Sequence, residues 1–78
     1  MIKELDSVVL KENVTKYNLA KGDIGTVVLV HNDGEGYEVE FITLGGETIA
    51  VTTLFPSQIR KIFEMEIANA RSLELLAA

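Results

Sequence analysis

The feature that most constrains this chain is a succession of short β-forming segments separated by glycine-containing turns. Ile24–His31 is mostly aliphatic and β-branched, residues 37–42 alternate apolar residues with glutamates, and Thr48–Leu54 is rich in threonine. Such residues favour extended backbone, and a period of two is typical of a strand with one buried face. The intervening stretches NDGEG and LGGET contain residues that tolerate positive φ. We therefore predict two successive β-hairpins.

Two further strands complete the predicted sheet. Residues 8–10 indicate a first strand, and residues 59–62 indicate a short last one. Between the first two strands lies a long polar loop whose spaced apolar residues are expected to contact the core. Pro56 interrupts the pattern because it lacks an amide hydrogen for a ladder, and we expect a single helical turn there. Five strands in one meander predict an all-β fold, a five-stranded SH3-like barrel over residues 1–62 whose sheet closes on itself. The side chains expected inside it are those of Val8, Leu10, Ile24, Val28, Val39, Phe41, Ile49, Val51 and Ile59.

The glycines are interpreted as structural. In KGDIGTVV the lysine precedes the glycines and a strand follows, whereas a P-loop places Gly-Lys-Ser/Thr before a helix. A dinucleotide fingerprint would also need a helix after its glycines. We predict that Gly22 adopts positive φ and that Gly25 lets the backbone bend tightly into the barrel. The full set of predicted turn glycines is Gly22, Gly25, Gly34, Gly45 and Gly46.

The C-terminal tail, residues 63–78, differs in character from the barrel. It contains no glycine or proline and is rich in alanine, leucine and glutamate, which favours a helix. Its first half alternates apolar residues with glutamates, which would instead extend the last strand. The sequence leaves the tail helical or extended. A helix of this length is marginal alone, so we expect the tail to dock on the barrel or on another copy, as an oligomer contact.

Composition limits the classes of function. Twelve acidic and seven basic residues give a net charge of −5, which argues against general nucleic-acid binding because such binding depends on Lys and Arg. The absence of cysteine excludes disulfides and thiolate metal sites and suits a reducing compartment. The N-terminus is too charged for a signal peptide, and no apolar run is long enough to span a membrane. We expect a cytoplasmic protein with no membrane association.

No residue pattern points to catalysis. His31 is the single histidine, so no second imidazole or thiolate completes a zinc site. Glu38 and Glu40 share one strand face but lack the deep cleft that paired catalytic carboxylates need. The serines have no histidine partner in a recognisable pattern. We predict no catalytic residue, metal, cofactor or small-molecule substrate, and therefore no enzyme.

Two resemblances to known families complement this interpretation. The stretch KGDIGTVVLV resembles part of the KOW motif of ribosomal and transcription-factor barrels, which implies contact with RNA or protein. Four motifs, at residues 6–10, 22–28, 37–41 and 54–60, are similar to those of a small prokaryotic family, domain of unknown function 4926. The last motif departs from the family pattern by one extra residue within Phe55-Pro56-Ser57. This second resemblance covers most of the chain and implies an SH3-like barrel without a particular activity.

Together these features predict a non-enzymatic interaction or assembly module that self-associates or docks on a protein partner. One alternative is a KOW-like RNA-binding accessory protein. Another is an antitoxin-like or enzyme-assembly regulator whose acidic face covers a basic partner. The residues predicted to contact a partner are Tyr17, Phe55, Arg60, Lys61, Leu73 and Leu76.

Overall fold

The computed structural model describes residues 1–73, and these form an all-β domain. Five antiparallel strands lie in one sheet in the order β4-β3-β2-β1-β5. The elements are β1 (Ser7–Leu10), a 3₁₀ turn (Thr15–Tyr17), β2 (Ile24–His31), β3 (Gly36–Ile42), β4 (Thr48–Leu54), a second 3₁₀ turn (Pro56–Gln58) and β5 (Ile59–Lys61). This order, with a long loop after β1 and a helical turn before β5, confirms the predicted SH3-like fold. No helix within residues 1–73 is long and apolar enough to cross a bilayer.

The sheet curls around its core without closing on itself. Within the described residues, β4 pairs only with β3 and β5 only with β1, so both remain edge strands. The predicted closed ladder is therefore wrong. One reason is the length of β5, which has only three residues, all paired with β1. So short a strand leaves few backbone groups on its other edge for β4 to pair with.

The core lies on one face of the curled sheet and is covered by the loop after β1. Leu19, from that loop, is buried, and Val14 and Tyr17 pack against the same cluster. This confirms that the loop places apolar residues on the core. The buried hydrophobic residues are Val8, Val9, Leu10, Leu19, Val27, Tyr37, Val39, Phe41, Ala50, Leu54 and Ile59.

The inward face of β2 differs from the prediction. Val27 is fully buried, whereas Ile24 and Val28, both expected inside, are 43% and 40% exposed. A β-bulge between Val27 and Leu29 shifts the register against β3. Because β2 carries apolar side chains on both faces, its sequence does not indicate which face is buried.

The inward face of β4 also differs from the prediction. Ala50 and Leu54 are buried, whereas Val51 is 51% exposed and Ile49 is partly buried against the core. Ala50 pairs with Phe41, so a small side chain lies opposite a large one. That complementarity lets the two strands fill the core without overlap.

The turns between strands use positive φ where the sequence indicated it. Asn32, Asp33 and Gly34 all have positive φ in the β2–β3 turn. In the β3–β4 turn, Thr43 N–H donates to the Glu47 carbonyl at 2.8 Å, which leaves a three-residue loop. Only the last loop residue, Gly46, has positive φ there, as is common for hairpins of this length, whereas Gly45, also a predicted turn residue, has ordinary φ.

Candidate interaction surface

The chain after β5 forms the most distinctive surface of the molecule. This C-terminal segment, residues 62–73, contains no helix; it turns at Glu64 and Met65 and then runs irregularly. The helical alternative therefore does not hold for residues 63–73. Leu76 lies outside the described residues. The segment returns across the outer face of the sheet, where it lies beside Val9 and Ile24.

The first attachment of the segment is a bidentate ion pair. Arg60 of β5 donates from its two terminal guanidinium nitrogens to the Glu66 carboxylate, at 2.9 and 2.6 Å. Glu66 also accepts from the Phe63 amide at 2.7 Å, which closes the turn between these residues. The Arg60 guanidinium lies 5.1 Å from the centre of the Phe63 ring. One arginine therefore orders both ends of the turn.

The second attachment joins the end of the segment to the start of β2. Arg71 Nε donates to Asp23 Oδ1 at 2.7 Å, and a terminal nitrogen donates to Oδ2 at 2.5 Å and to the Asn18 carbonyl at 3.1 Å. Asp23 also accepts from the Ala20 amide at 2.8 Å. Partial burial raises the pKa of Asp23, but the hydrogen bonds from Arg71 and Ala20 outweigh it and lower the pKa overall. The hydrogen bonds of this loop therefore stabilise the charged form of the Asp23 carboxylate.

Between these attachments the segment covers part of the sheet and exposes the rest of its own apolar surface. Val9, on the outer face of β1, is only 9% exposed, and an open groove of about 370 Å³ lies between segment and sheet. Phe63 is 60% exposed, Met65 96% and Ile67 94%. The segment is therefore fixed by charge and leaves three large apolar side chains in solvent.

The residues predicted to contact a partner lie at several places in the fold. Arg60 and Lys61 lie on β5, where Lys61 Nζ is 3.6 Å from Asp6 Oδ2. Phe55 is 59% exposed just before the second 3₁₀ turn. Tyr17 packs against the core with the Lys16 ammonium 5.3 Å from its ring centre. Leu73 is partly buried at the end of the described chain.

Sequence reasoning missed the residues that build this surface. Asp23 and Arg71 are 48 positions apart, and no local pattern links them. Glu66 was assigned to a helical or strand-like repeat, although its pairing with Arg60 depends on how the chain turns after β5. The alternation of Phe63, Met65 and Ile67 with glutamates indicated an extension of β5, but β5 ends at Lys61 and the segment after it is not a strand.

A polar cluster lies on the outer face of β2, β3 and β4, away from the C-terminal segment. His31 Nε2 is 2.8 Å from Glu38 Oε2, and Thr53 Oγ1 donates to the same oxygen. These hydrogen bonds, with that of Thr53 the stronger influence, lower the pKa of Glu38. Within residues 1–73, no three His, Asp or Glu side chains are placed to hold a metal ion. A second depression, of about 320 Å³, is lined by residues near the N-terminus, Val30 and Asp33.

The first attachment makes a prediction about acid titration. The Arg60 hydrogen bonds, followed by that of the Phe63 amide, lower the pKa of Glu66 from 4.5 to about 2. A carboxylate with a depressed pKa in the folded state stabilises that state above its unfolded pKa and loses the effect as pH falls. We expect Glu66 to titrate near pH 2 in the intact chain, as followed by side-chain NMR shifts.

The matched control for this titration is Arg60→Gln. Removing the guanidinium removes the main cause of the shift, so the Glu66 midpoint is expected to move up toward 4.5. An identical Glu66 midpoint in both proteins would contradict the pairing.

Comparison with known families identifies the family of this chain. A family model described as "Domain of unknown function (DUF4926)" matches residues 4–61. No curated protein matches the chain, and no solved structure does. The matched range ends at the last residue of β5, so it covers the whole sheet and leaves out the entire C-terminal segment.

Proposed function

Because the chain belongs to the DUF4926 family, whose description names no activity, we propose a function from the surface of the molecule. The chain is a non-enzymatic cytoplasmic interaction module that docks a protein partner on its C-terminal segment. The observation that carries the proposal is the nearly complete exposure of Met65 and Ile67 on a segment fixed by two bidentate ion pairs. The partner is a protein that offers an apolar surface to these side chains.

The energetics support docking at this segment. Burying a large aliphatic or aromatic side chain contributes about 1.5–3 kcal/mol relative to leaving it exposed. Burial of Phe63, Met65 and Ile67 by a partner would therefore contribute a large favourable free energy of binding from three neighbouring positions. Methionine adapts its shape to irregular surfaces and recurs where proteins bind one another. Since Arg60 and Arg71 already order the segment, a partner has less conformational entropy to remove on binding.

The charge distribution favours this proposal over the RNA-binding alternative. In the described residues, Arg60 pairs with Glu66 and Lys61 with Asp6. An RNA phosphate would have to compete with a carboxylate for each of these bases, in a protein of net charge −5. The acidic regulator remains a variant of the same proposal, in which the docked partner is basic.

Affinity capture on a pair of matched variants tests the proposal. The full chain is immobilised as wild type, as the double variant Met65→Ser/Ile67→Ser, and as Leu44→Ser. Leu44 is 97% exposed at the β3–β4 turn, so its variant loses comparable apolar surface elsewhere. We expect a protein retained by wild type and Leu44→Ser to be lost, by about tenfold or more, from the double variant.

The readout is quantitative mass spectrometry of the retained proteins. Retention of the same proteins at the same level by all three baits would refute the C-terminal segment as the docking surface. Recovery of structured RNA whose binding weakens steeply with salt would favour the alternative function instead.

A further inference from the structure

The two edges of the sheet are protected very unequally. The β5 edge is three residues long, carries Arg60 and Lys61, and follows a proline-initiated turn. The β4 edge is seven residues long and contains no charged residue and no proline. Natural edge strands are usually blunted by charge, proline, bulges or shortness, because unpaired backbone groups can recruit another strand. On β4 the one such device is a register shift opposite Phe41 and Ile42, which leaves Ala50 to Leu54 regular.

The hydrogen bonds of the neighbouring strands show which backbone groups of β4 face outward. Val27 donates to the Asp6 carbonyl at 2.9 Å and accepts from the Leu5 amide at 2.7 Å, so its backbone groups point away from β3. Its opposite residue, Val39, must then exchange hydrogen bonds with its partner on β4, Thr52.

It follows that the two residues flanking Thr52 direct their N–H and C=O groups away from the sheet. These residues are Val51 and Thr53. In the described chain, every strand pairing of β4 is with β3, and no backbone hydrogen bond outside the ladders involves residues 48–54. The outward groups of Val51 and Thr53 therefore form a regular, unpaired ladder edge.

We propose that β4 pairs antiparallel with β4 of a second copy of this chain, about a two-fold axis at Thr52. In this register Val51 of one copy lies opposite Thr53 of the other, and their outward N–H and C=O groups hydrogen-bond in both directions. Threonine would lie opposite threonine at the axis, and β-branched pairs of this kind are favourable across strands. The sheet then continues through both copies, as a closed two-fold contact.

The lack of charge on β4 and the sizes of its side chains both favour a second copy as the occupant of this edge. Two chains of net charge −5 repel each other over most surfaces, but residues 48–54 carry none of that charge. Glu38 and Glu40 belong to β3, and their carboxylates accept hydrogen bonds from the Thr53 and Thr48 hydroxyls of β4. The strand is also complementary to itself in size, because Ala50 faces Leu54 in the proposed register. In the strand order, β4 is at one end of the sheet, and β5 and the C-terminal segment are at the other. The inference therefore does not depend on the proposed function.

Cysteine cross-linking of the full chain tests the register directly, since the protein has no cysteine of its own. Thr52→Cys would place two thiols in a non-hydrogen-bonded pair with Cα atoms about 4.5 Å apart, within disulfide range. Leu44→Cys is the control, because Leu44 is more exposed yet lies away from the axis. Under a mild oxidant we expect Thr52→Cys to form dimers at least about tenfold faster. Equal rates would overturn the proposal.

Sedimentation supplies a second measurement that does not depend on the cysteine variants. The mass of the wild-type chain is expected to rise above 8.6 kDa with concentration, and Val51→Lys, which adds a charge to the edge, is expected to remain at that mass. A wild-type mass of 8.6 kDa at every concentration would overturn the proposal. So would a dimer that persists in Val51→Lys and is lost in Met65→Ser/Ile67→Ser, a result that would leave the C-terminal docking surface intact.

Discussion

Leu54→Ala is expected to lower the free energy of unfolding by about 2–5 kcal/mol, the range measured for large-to-small substitutions in packed cores. Leu54 is 1% exposed at the end of β4 and belongs to the cluster of buried residues that forms the core. Its truncation removes the transfer free energy of the side chain and leaves a cavity that a curled sheet cannot easily collapse. In a domain of this size the loss is a large part of the total stability.

The measurement is the urea midpoint at constant m-value, followed by circular dichroism. Leu44→Ala makes the same chemical change at a side chain that is 97% exposed, and it is expected to shift stability by no more than about 0.5 kcal/mol. Equal effects of the two substitutions would mean that the described core is wrong.

Gly25→Ala is expected to destabilise the fold by about 1–3 kcal/mol through overpacking. A Cβ at this position would lie 2.6 Å from Val39 Cγ1, 2.8 Å from Phe41 Cε1 and 3.0 Å from the Glu40 carbonyl oxygen. Val39 is fully buried and its β-branched side chain has little rotamer freedom, so it cannot move aside. Replacing glycine by alanine in a strand would otherwise stabilise the fold. The clash therefore decides that the change in stability is unfavourable.

Gly45→Ala provides the comparison for this prediction. Gly45 has ordinary φ, and an added Cβ would meet only Thr43 Oγ1, at 3.7 Å. Its unfolding midpoint in urea is expected to stay equal to that of the wild type or rise slightly, because alanine reduces the entropy of the unfolded chain. A Gly25→Ala midpoint as high as that of Gly45→Ala would show that β2 and β3 do not pack as closely as described.

The glycine prediction also shows how far sequence reasoning reached. Gly22, Gly34 and Gly46 have the positive φ that turns require, and their neighbours in sequence already indicated it. Gly25 was expected to matter for a bend in the backbone. The structure gives a different reason, which is that two side chains from β3 occupy the space above it. That reason involves residues 14 and 16 positions away and has no local signal.

In the candidate interaction surface, too, the sequence indicated some of the residues and only the structure showed their partners. Arg60 and Lys61 are among the residues predicted to contact a partner, and both are on β5, but each lies beside a carboxylate. The partners of Arg60 and Arg71, Glu66 and Asp23, were not foreseen. An extended or helical tail was all that composition could indicate, because the choice depends on where the charges of the barrel lie.

The sequence by itself determined the strands, their order along the chain and the turns between them. Residues 37–42 show the reason most clearly, since alternation along one strand states which side chains face inward, and Tyr37, Val39 and Phe41 are all buried. Tertiary structure alone decided the inward faces of β2 and β4, the open edge between β4 and β5, and the path of the C-terminal segment. In each of these the local pattern allows more than one arrangement, and the outcome is set by packing or by ion pairs between residues far apart in the chain.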